Sequence, residues 1–382
     1  MKTNQFFPEI KGNFGFGCMR LPMKQGEVDL TEMEKMADAF FRAGFNYIDT
    51  AHGYLGGKSE TAIREAIAKR YPREQFLLTN KLTSNYFEKE EDIRPLFDAQ
   101  LEACGVEYFD FYLMHAQNGS IFEKYKTCRA YETAFTLKEE GRIRHVGLSF
   151  HDKAEVLDRM LSEYPQIEIV QIQFNYLDYE NDRVESRKVY EVCEKHGKPV
   201  IVMEPVKGGQ LACLPEEADR VLKDMEQRSG KKSLSHAAYA IRYAASFPQM
   251  CMVLSGMSDL PQMQDNLSFM TEFEPLSREE FAAIDQIREI LATMHPIACT
   301  GCKYCILDND CPQKINIPGV FECYNAKIIY HHENQKFIYH TFVTKEGSRA
   351  SDCIRCGQCE QICPQHLPIR EYLKDAVSEL EN

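Results

Sequence analysis

Two dense cysteine runs near the C-terminus constrain this chain more than any other feature. The first is Cys299-Thr-Gly-Cys302-Lys-Tyr-Cys305, followed by Cys311-Pro312. The second is Cys353-Ile-Arg-Cys356-Gly-Gln-Cys359-Glu-Gln-Ile-Cys363-Pro364. The second run has the C-x-x-C-x-x-C-x-x-x-C-P spacing with which bacterial proteins hold cubane iron–sulfur clusters. Three thiolates at that pitch wrap three corners of a cube, and the cysteine before proline ligates the other cluster where there are two. The spacing therefore predicts two 4Fe–4S clusters. One takes Cys299, Cys302, Cys305 and Cys363, the other Cys353, Cys356, Cys359 and Cys311, so that the two runs are stapled into one module. Cys311 departs from the pattern, because Ile306 to Asp310 precede it where three residues are usual. Zinc takes paired C-x-x-C units or Cys and His mixtures and has no use for a third cysteine at the same step. Disulfides need an oxidising compartment, and a lone buried thiol does not account for two tandem runs.

The chain has 382 residues, more than one core usually fills, which predicts a large domain and a small one. A net charge of −13 offers no electrostatic footprint for nucleic acid or an anionic membrane. Met1 to Ile10 has no apolar run behind a basic region, so no secretory signal is expected. No apolar stretch is long enough to span a bilayer. Of the 15 cysteines, those outside the two runs lie scattered without a disulfide framework, which suits a reducing cytoplasm. Nothing in the composition fixes an oligomeric state.

From the N-terminus to about Leu291, short apolar runs alternate with longer helical ones. The predicted strands are an early one around Phe14–Leu21, then Phe45–Asp49, Phe76–Lys81, Phe109–His115, His145–Ser149, Ile169–Asn175, Val200–Glu204 and Met252–Ser255. Most are too apolar to have a wet face, the mark of parallel strands covered on both sides. Predicted helices include Thr31 to Ala43, with Thr31 as N-cap and Gly44 as the stop, Ser59 to Lys69, Asp182 to His196 and Leu234 to Ala245. Eight strand–helix units in this length make an α/β fold of the (β/α)8 TIM-barrel type. A doubly wound sheet would carry G-x-G-x-x-G after its first strand. Gly15-Phe16-Gly17 lacks the third glycine. The alternation stops after Leu291, and Met294-His295-Pro296 has the composition of a linker. The expected domains are residues 1–291, the barrel, and 292–382, a small and mainly helical cluster domain, with helices over Val320 to Tyr330 and within His331 to Ser351.

In such a barrel the reacting groups come from the C-terminal ends of several strands. Polar residues stand at those ends here: Asp49 with Tyr54 just after it, Lys81 in Thr79-Asn80-Lys81, and His115 in Phe111-Tyr-Leu-Met-His115. Singly, a tyrosine, lysine or histidine at a strand end is more often structural than catalytic. Four on one rim form a constellation. The whole chain resembles the aldo-keto reductases, in the branch fused to a C-terminal ferredoxin-like 4Fe–4S domain. The carriers are Asp49-Thr-Ala…Tyr54 with Ser59-Glu60, Thr79-Asn80-Lys81, Asp110-Phe-Tyr-Leu-Met-His115, Gly147-Leu-Ser149, Gln171-Ile-Gln-Phe-Asn175, Met203-Glu-Pro205 and Ser255-Gly256-Met257…Asn266.

The resemblance implies a nicotinamide that passes hydride to a small carbonyl, or takes it from an alcohol. Tyr54 is then the proton donor, Lys81 the cation beside it, Asp49 the partner that fixes Lys81, and His115 the group that orients the carbonyl. An ordinary tyrosine holds its proton up to pH ~10, and a nearby ammonium lowers that. The resemblance also implies a nucleotide site, NADP or NAD, lined by Gly17, Met19, Ser149, Gln171, Met203, Pro205, Lys207, Gly209, Ser255, Met257, Gln262 and Asn266. Phe150 stands where many members have Asn, and Met203 where many have Tyr. Asp259 and Asp265 add negative charge where a 2′-phosphate would want cations. A flavin would link two-electron and one-electron chemistry, but no flavin motif is present. The clusters then relay electrons with an external partner, clamp the tail onto the barrel as structural groups, or sense redox state, and the chain reads as an iron–sulfur oxidoreductase or as a nucleotide-binding electron carrier or redox sensor with little carbonyl turnover.

Overall fold

The computed structural model describes residues 4–230, 233–294, 297–307, 309, 311–330, 335–344 and 348–381. Eight parallel strands close into a barrel: β1 (Phe14–Gly17), β2 (Tyr47–Asp49), β3 (Leu77–Leu82), β4 (Phe109–Gln117), β5 (Ile143–Phe150), β6 (Ile169–Gln173), β7 (Val200–Met203) and β8 (Met250–Gly256). Each pairs with its neighbours in the chain, and β8 returns to β1. The closed barrel excludes the doubly wound sheet. Its strands are buried almost throughout because helices cover the outside and side chains fill the inside. Gly147 is required inside β5, since a Cβ there would lie 2.6 Å from Ile169 Cγ2 and 2.7 Å from Leu113 Cδ2.

The helices that follow the strands are α1 (Leu30–Arg42), α2 (Lys58–Ile63), α3 (Glu90–Cys104), α4 (Gly119–Thr127), α5 (Ala130–Glu139), α6 (Ala154–Glu163), α7 (Ser186–Lys195), α8 (Glu216–Ser229), α9 (His236–Ala245) and α10 (Leu260–Met270). The N-cap of α1 is Asp29 rather than Thr31: its carboxylate accepts from Glu32 N at 3.2 Å, two residues earlier than expected. The helix expected over Ser59 to Lys69 is α2 continued by one π turn, Arg64–Ala68. That expected over Asp182 to His196 begins only at Ser186, because Glu185 has φ 54°.

The N-terminal residues close one end of the barrel. Asn4 donates to Cys251 O at 2.7 Å, Phe7 stacks edge-on against Phe111 with centroids 5.2 Å apart, and Glu9 meets His145 at 2.7 Å. All three partners lie at the starts of their strands, so the plug fills the rim opposite the strands' C-terminal ends.

The chain divides into two compact units that do not follow a single cut. The first comprises residues 1–181, 185–205 and 237–276 and contains the barrel. The second comprises 182–184, 206–236 and 277–382. Within the second, α8 packs on α11 (Arg278–Thr293), and α13 (Ile317–Tyr330) packs on α16 (Ile369–Leu380). Short turns of helix, α12 (Tyr304–Leu307), α14 (Gln335–Ile338) and α15 (Gln358–Gln361), complete it. Its core is built from Ile297, Ile317, Val320, Phe321, Ile369 and Leu373. The expected linker Met294-His295-Pro296 lies mostly outside the described residues, as do 331–334 and 345–347 of the region expected to be helical.

Candidate functional site

Three strands deliver one cluster of charge to the barrel rim. Asp49 is the last residue of β2, Lys81 lies one residue from the end of β3, and Gln171 is in the middle of β6. Lys81 Nζ donates to Asp49 Oδ1 at 2.7 Å, to Thr50 O at 2.7 Å and to the Tyr54 hydroxyl at 3.3 Å. The ammonium also lies 4.8 Å from the centre of the Tyr54 ring. Gln171 Nε2 donates to Asp49 Oδ2 at 3.2 Å. Lys81 is 0% and Asp49 4% exposed. Burial pushes the Asp49 carboxyl up and the Lys81 ammonium down, and their mutual attraction and hydrogen bond work against both shifts. Three acceptors saturate the ammonium's N–H groups and hold the pair in its charged form.

Tyr54 opens the turn Tyr54–Gly57, in which Leu55 and Gly56 have φ 54° and 66°. This tight left-handed stretch turns the chain back just after β2. His115 stands across from Tyr54, with ring centroids 5.9 Å apart at 73°. It does not close β4, which runs on to Gln117. The pairing of β4 with β5 slips between Met114 and Gln117, and Ala116 has φ 51°. Such a slip re-aims a side chain next to a site. His115 Nδ1 is 2.7 Å from Thr83 Oγ1. Burial, then Lys81, then His151 hold His115 well below its usual value, so the ring is neutral.

Behind Lys81 is a buried polar network that the sequence reading missed. Gln100 Nε2 donates to Lys81 O at 2.9 Å and to Asn80 Oδ1 at 3.2 Å, and the Tyr112 hydroxyl donates to Gln100 Oε1 at 2.5 Å. Asn80 Nδ2 donates to Glu60 Oε1 at 2.8 Å, and the other oxygen of Glu60 meets His52 Nδ1 at 2.8 Å. Glu60 belongs to the Ser59-Glu60 pair already singled out. Thr83 and Gln100 carried no local signal.

The residues expected to hold nucleotide fall into two groups. Gly17 ends β1 opposite Asp49 and Gly256, and a Cβ there would lie 3.2 Å from Ser255 O. Met19 sits in the 3-10 turn after it. Ser149 Oγ accepts from Ala116 N at 2.8 Å, and Asn266 Nδ2 donates to Ser255 Oγ at 2.8 Å. Met203 ends β7, and Pro205 and Met257 are buried. Gln262 accepts from Ser258 N at 2.9 Å and donates to Asp259 at 3.0 Å. The first turn of α10 meets two carboxylates, since Asp259 accepts from Gln262 N and Glu32 from Leu260 N. Lys207 and Gly209 belong instead to the second unit.

In that unit Cys299, Cys302, Cys305 and Cys363 line one cavity of about 330 Å³. Cys311, Cys353, Cys356 and Cys359 line another of about 350 Å³. Among the described residues, no three His, Cys, Asp or Glu side chains converge closely enough to hold a single metal ion. Four thiols lining one cavity, three of them from a single C-x-x-C-x-x-C run, suit a polynuclear core rather than one tetrahedral zinc. Burial, then Glu360 and the neighbouring cysteines, push Cys359 up to about 11, which a cationic iron core would offset. Burial raises the Cys363 thiol, and the backbone N–H groups of Leu367, Gln365 and His366 work against that shift, as donors do around iron–sulfur clusters.

Residues 13–289 match the model of the aldo/keto reductase family, and residues 298–368 match a 4Fe-4S dicluster domain. The NADH-specific methylglyoxal reductase of Escherichia coli is 29% identical over 187 residues, which span 44% of this chain and only 55% of that protein. The L-galactose dehydrogenase of Arabidopsis thaliana is 24% identical over 299 residues, 74% of this chain and 90% of the relative. The solved aldo-keto reductase AKR11C1 from Bacillus halodurans, in its holo form, superposes with a TM-score of 0.57 at 24% identity, over 72% of this chain and 91% of that one.

Proposed function

Because this chain belongs to the aldo/keto reductase family, with a 4Fe–4S domain at its C-terminal end, we propose that it interconverts a small carbonyl and its alcohol with Tyr54 as the proton donor. It is an NAD(P)-dependent oxidoreductase. The observation that carries the reading is the buried Lys81 ammonium shared by Asp49 and the Tyr54 hydroxyl at 2.7 and 3.3 Å. A bound dihydronicotinamide supplies the hydride to the carbonyl carbon. Tyr54 gives its proton to the carbonyl oxygen, and Lys81 stabilises the phenolate left behind. Asp49 keeps Lys81 charged and in place. His115, neutral and held at Nδ1 by Thr83, has Nε2 as its second hydrogen-bonding atom, which orients the carbonyl oxygen beside Tyr54. Gly17, Met19, Ser149, Gln171, Met203, Pro205, Ser255, Met257, Gln262 and Asn266 line the nucleotide.

The two four-cysteine sets hold two 4Fe–4S clusters, which supply one-electron steps when bound. The domain division that goes with this is 1–291 for the reductase and 292–382 for the clusters. Exposure of Cys356 supports exchange of single electrons with an external carrier. The test is anaerobic turnover of a panel of small aldehydes and ketones with NADH and NADPH. Tyr54→Phe should lower kcat by about 10²–10⁴-fold, the usual worth of a general acid, with iron content unchanged. Unchanged turnover in the iron-loaded variant would contradict the assignment.

A further inference from the structure

The loop after β7 runs from Val206 to Ala212, and two of its residues, Lys207 and Gly209, were expected at the nucleotide. In the structure it is bound to the first cysteine cavity, within the same compact unit. Lys207 is 1% exposed, and its Nζ lies 3.5 Å from Oε1 of Gln365, itself 3% exposed. Gln365 lines the cavity two residues after Cys363. Gly208, at φ 65°, lies against the peptide of Thr300, where a Cβ would come 2.4 Å from Thr300 O. Gln210 Nε2 donates to Cys299 O at 2.8 Å and to Ile297 O at 3.3 Å. The loop thus grips the Cys299-Thr300 peptide with Gly208 and Gln210, and brings a buried cation to the Cys363 side of the same cavity.

Among the described residues the second cavity has no such arrangement. Its lining cation is Arg370, which gives Nε and Nη2 to Glu360 at 3.0 and 2.7 Å and is thereby neutralised. Among the described residues no carboxylate lines the first cavity, whose own lining cation is Lys303, with Lys207 set behind Gln365.

We infer that Val206 to Ala212 is part of the first cluster's site, and that Lys207 sets that cluster's reduction potential. Reduction adds one electron to the cluster, and a buried positive charge nearby favours the more negative, reduced form. Gly208 and Gln210 are positioning residues: they hold the ligand peptide against which Lys207 is set. The inference rests on the reading that the two cysteine sets hold two clusters.

The test is an anaerobic redox titration of the full chain followed by electron paramagnetic resonance, with iron measured per chain. Cys356→Ser, which alters the second cluster, assigns the two signals. Lys207→Gln should move the first cluster to a more negative potential, by about tenfold in its one-electron equilibrium or ~59 mV, and leave the second in place. Lys207→Arg should restore it. Gly208→Ala, whose added Cβ meets the Thr300 peptide, should give the same shift or lose the iron of the first cluster alone. Both clusters present with unmoved potentials in Lys207→Gln, or in Gly208→Ala, would overturn the inference. A wild-type chain that binds no iron would instead overturn the two-cluster reading, and this inference with it.

Discussion

At the barrel rim Lys81 finds every acceptor it needs in the protein itself, Asp49, Thr50 and Tyr54, all within 3.3 Å. Around each of the two cavities of the second unit, four thiols face one another, and burial, with Glu360 beside Cys359 and the neighbouring cysteines, raises Cys305 and Cys359 above the usual thiol value. The first arrangement is complete as folded, and the second calls for a cationic core to hold it. The two sites draw their order from different sources. Hydrogen bonds of Gln100, Asn80 and Glu60 pre-position the rim. If the cysteine module holds iron as proposed, its folding should be coupled to that iron, as in structural metal sites.

The comparison breaks most readily at Lys81. Lys81→Met leaves Asp49 as a buried, uncompensated carboxylate, and removing one partner of such a pair costs about 3–5 kcal/mol. Urea unfolding of the barrel should show that loss, and turnover should vanish. The double variant Lys81→Met with Asp49→Leu should recover much of the stability and none of the activity. Equal losses in the single and double variants would mean that the pair is not held by mutual charge.

A smaller effect comes from the plugged end. His145 bridges Glu9 and Glu168 at 2.7 and 2.9 Å. Burial lowers the His145 value, but Glu168 and Glu9 outweigh it and raise the group above 6.5. Burial raises Glu168, but His145 and Lys138 outweigh it and bring it to about 2. The His145 contribution is therefore full below pH ~6.5 and is lost as pH rises through the raised value. The Glu168 contribution is full above pH ~4.5 and is lost as pH falls toward about 2. The urea midpoint should be highest between these limits. His145→Gln should flatten its alkaline decline, and a wild-type decline that persists in the variant would refute the assignment.

Much of this molecule is visible in its sequence, for identifiable reasons. Strands such as Phe109–Gln117 and Ile169–Gln173 announce themselves because apolar runs, aromatic in the first and β-branched in the second, suit burial on both faces. Asp49, Lys81 and His115 stand out because polar residues interrupt those runs at one end. The cysteine spacing is a local signal, and so is the pairing of Cys363 with the first run. What stayed hidden depends on distant partners. Gln100 is an ordinary helical residue until Asn80 and Tyr112 are folded against it. Asp29 and Thr31 are both competent caps, and only the backbone decides between them. Lys207 and Gly209 look like part of a nucleotide site because the contacts of Lys207 with Gln365 and of Gln210 with Cys299 cannot be read from neighbours in sequence.

Hydrogen exchange on the iron-loaded and iron-stripped chain puts the contrast between the two sites to its most direct test. Stripping iron should speed exchange around Cys299–Ile317 and Cys353–Ile369, while Leu77–Leu82 and Phe109–Gln117 keep their protection. Equal loosening of those barrel strands, or an unchanged cysteine module, would contradict it.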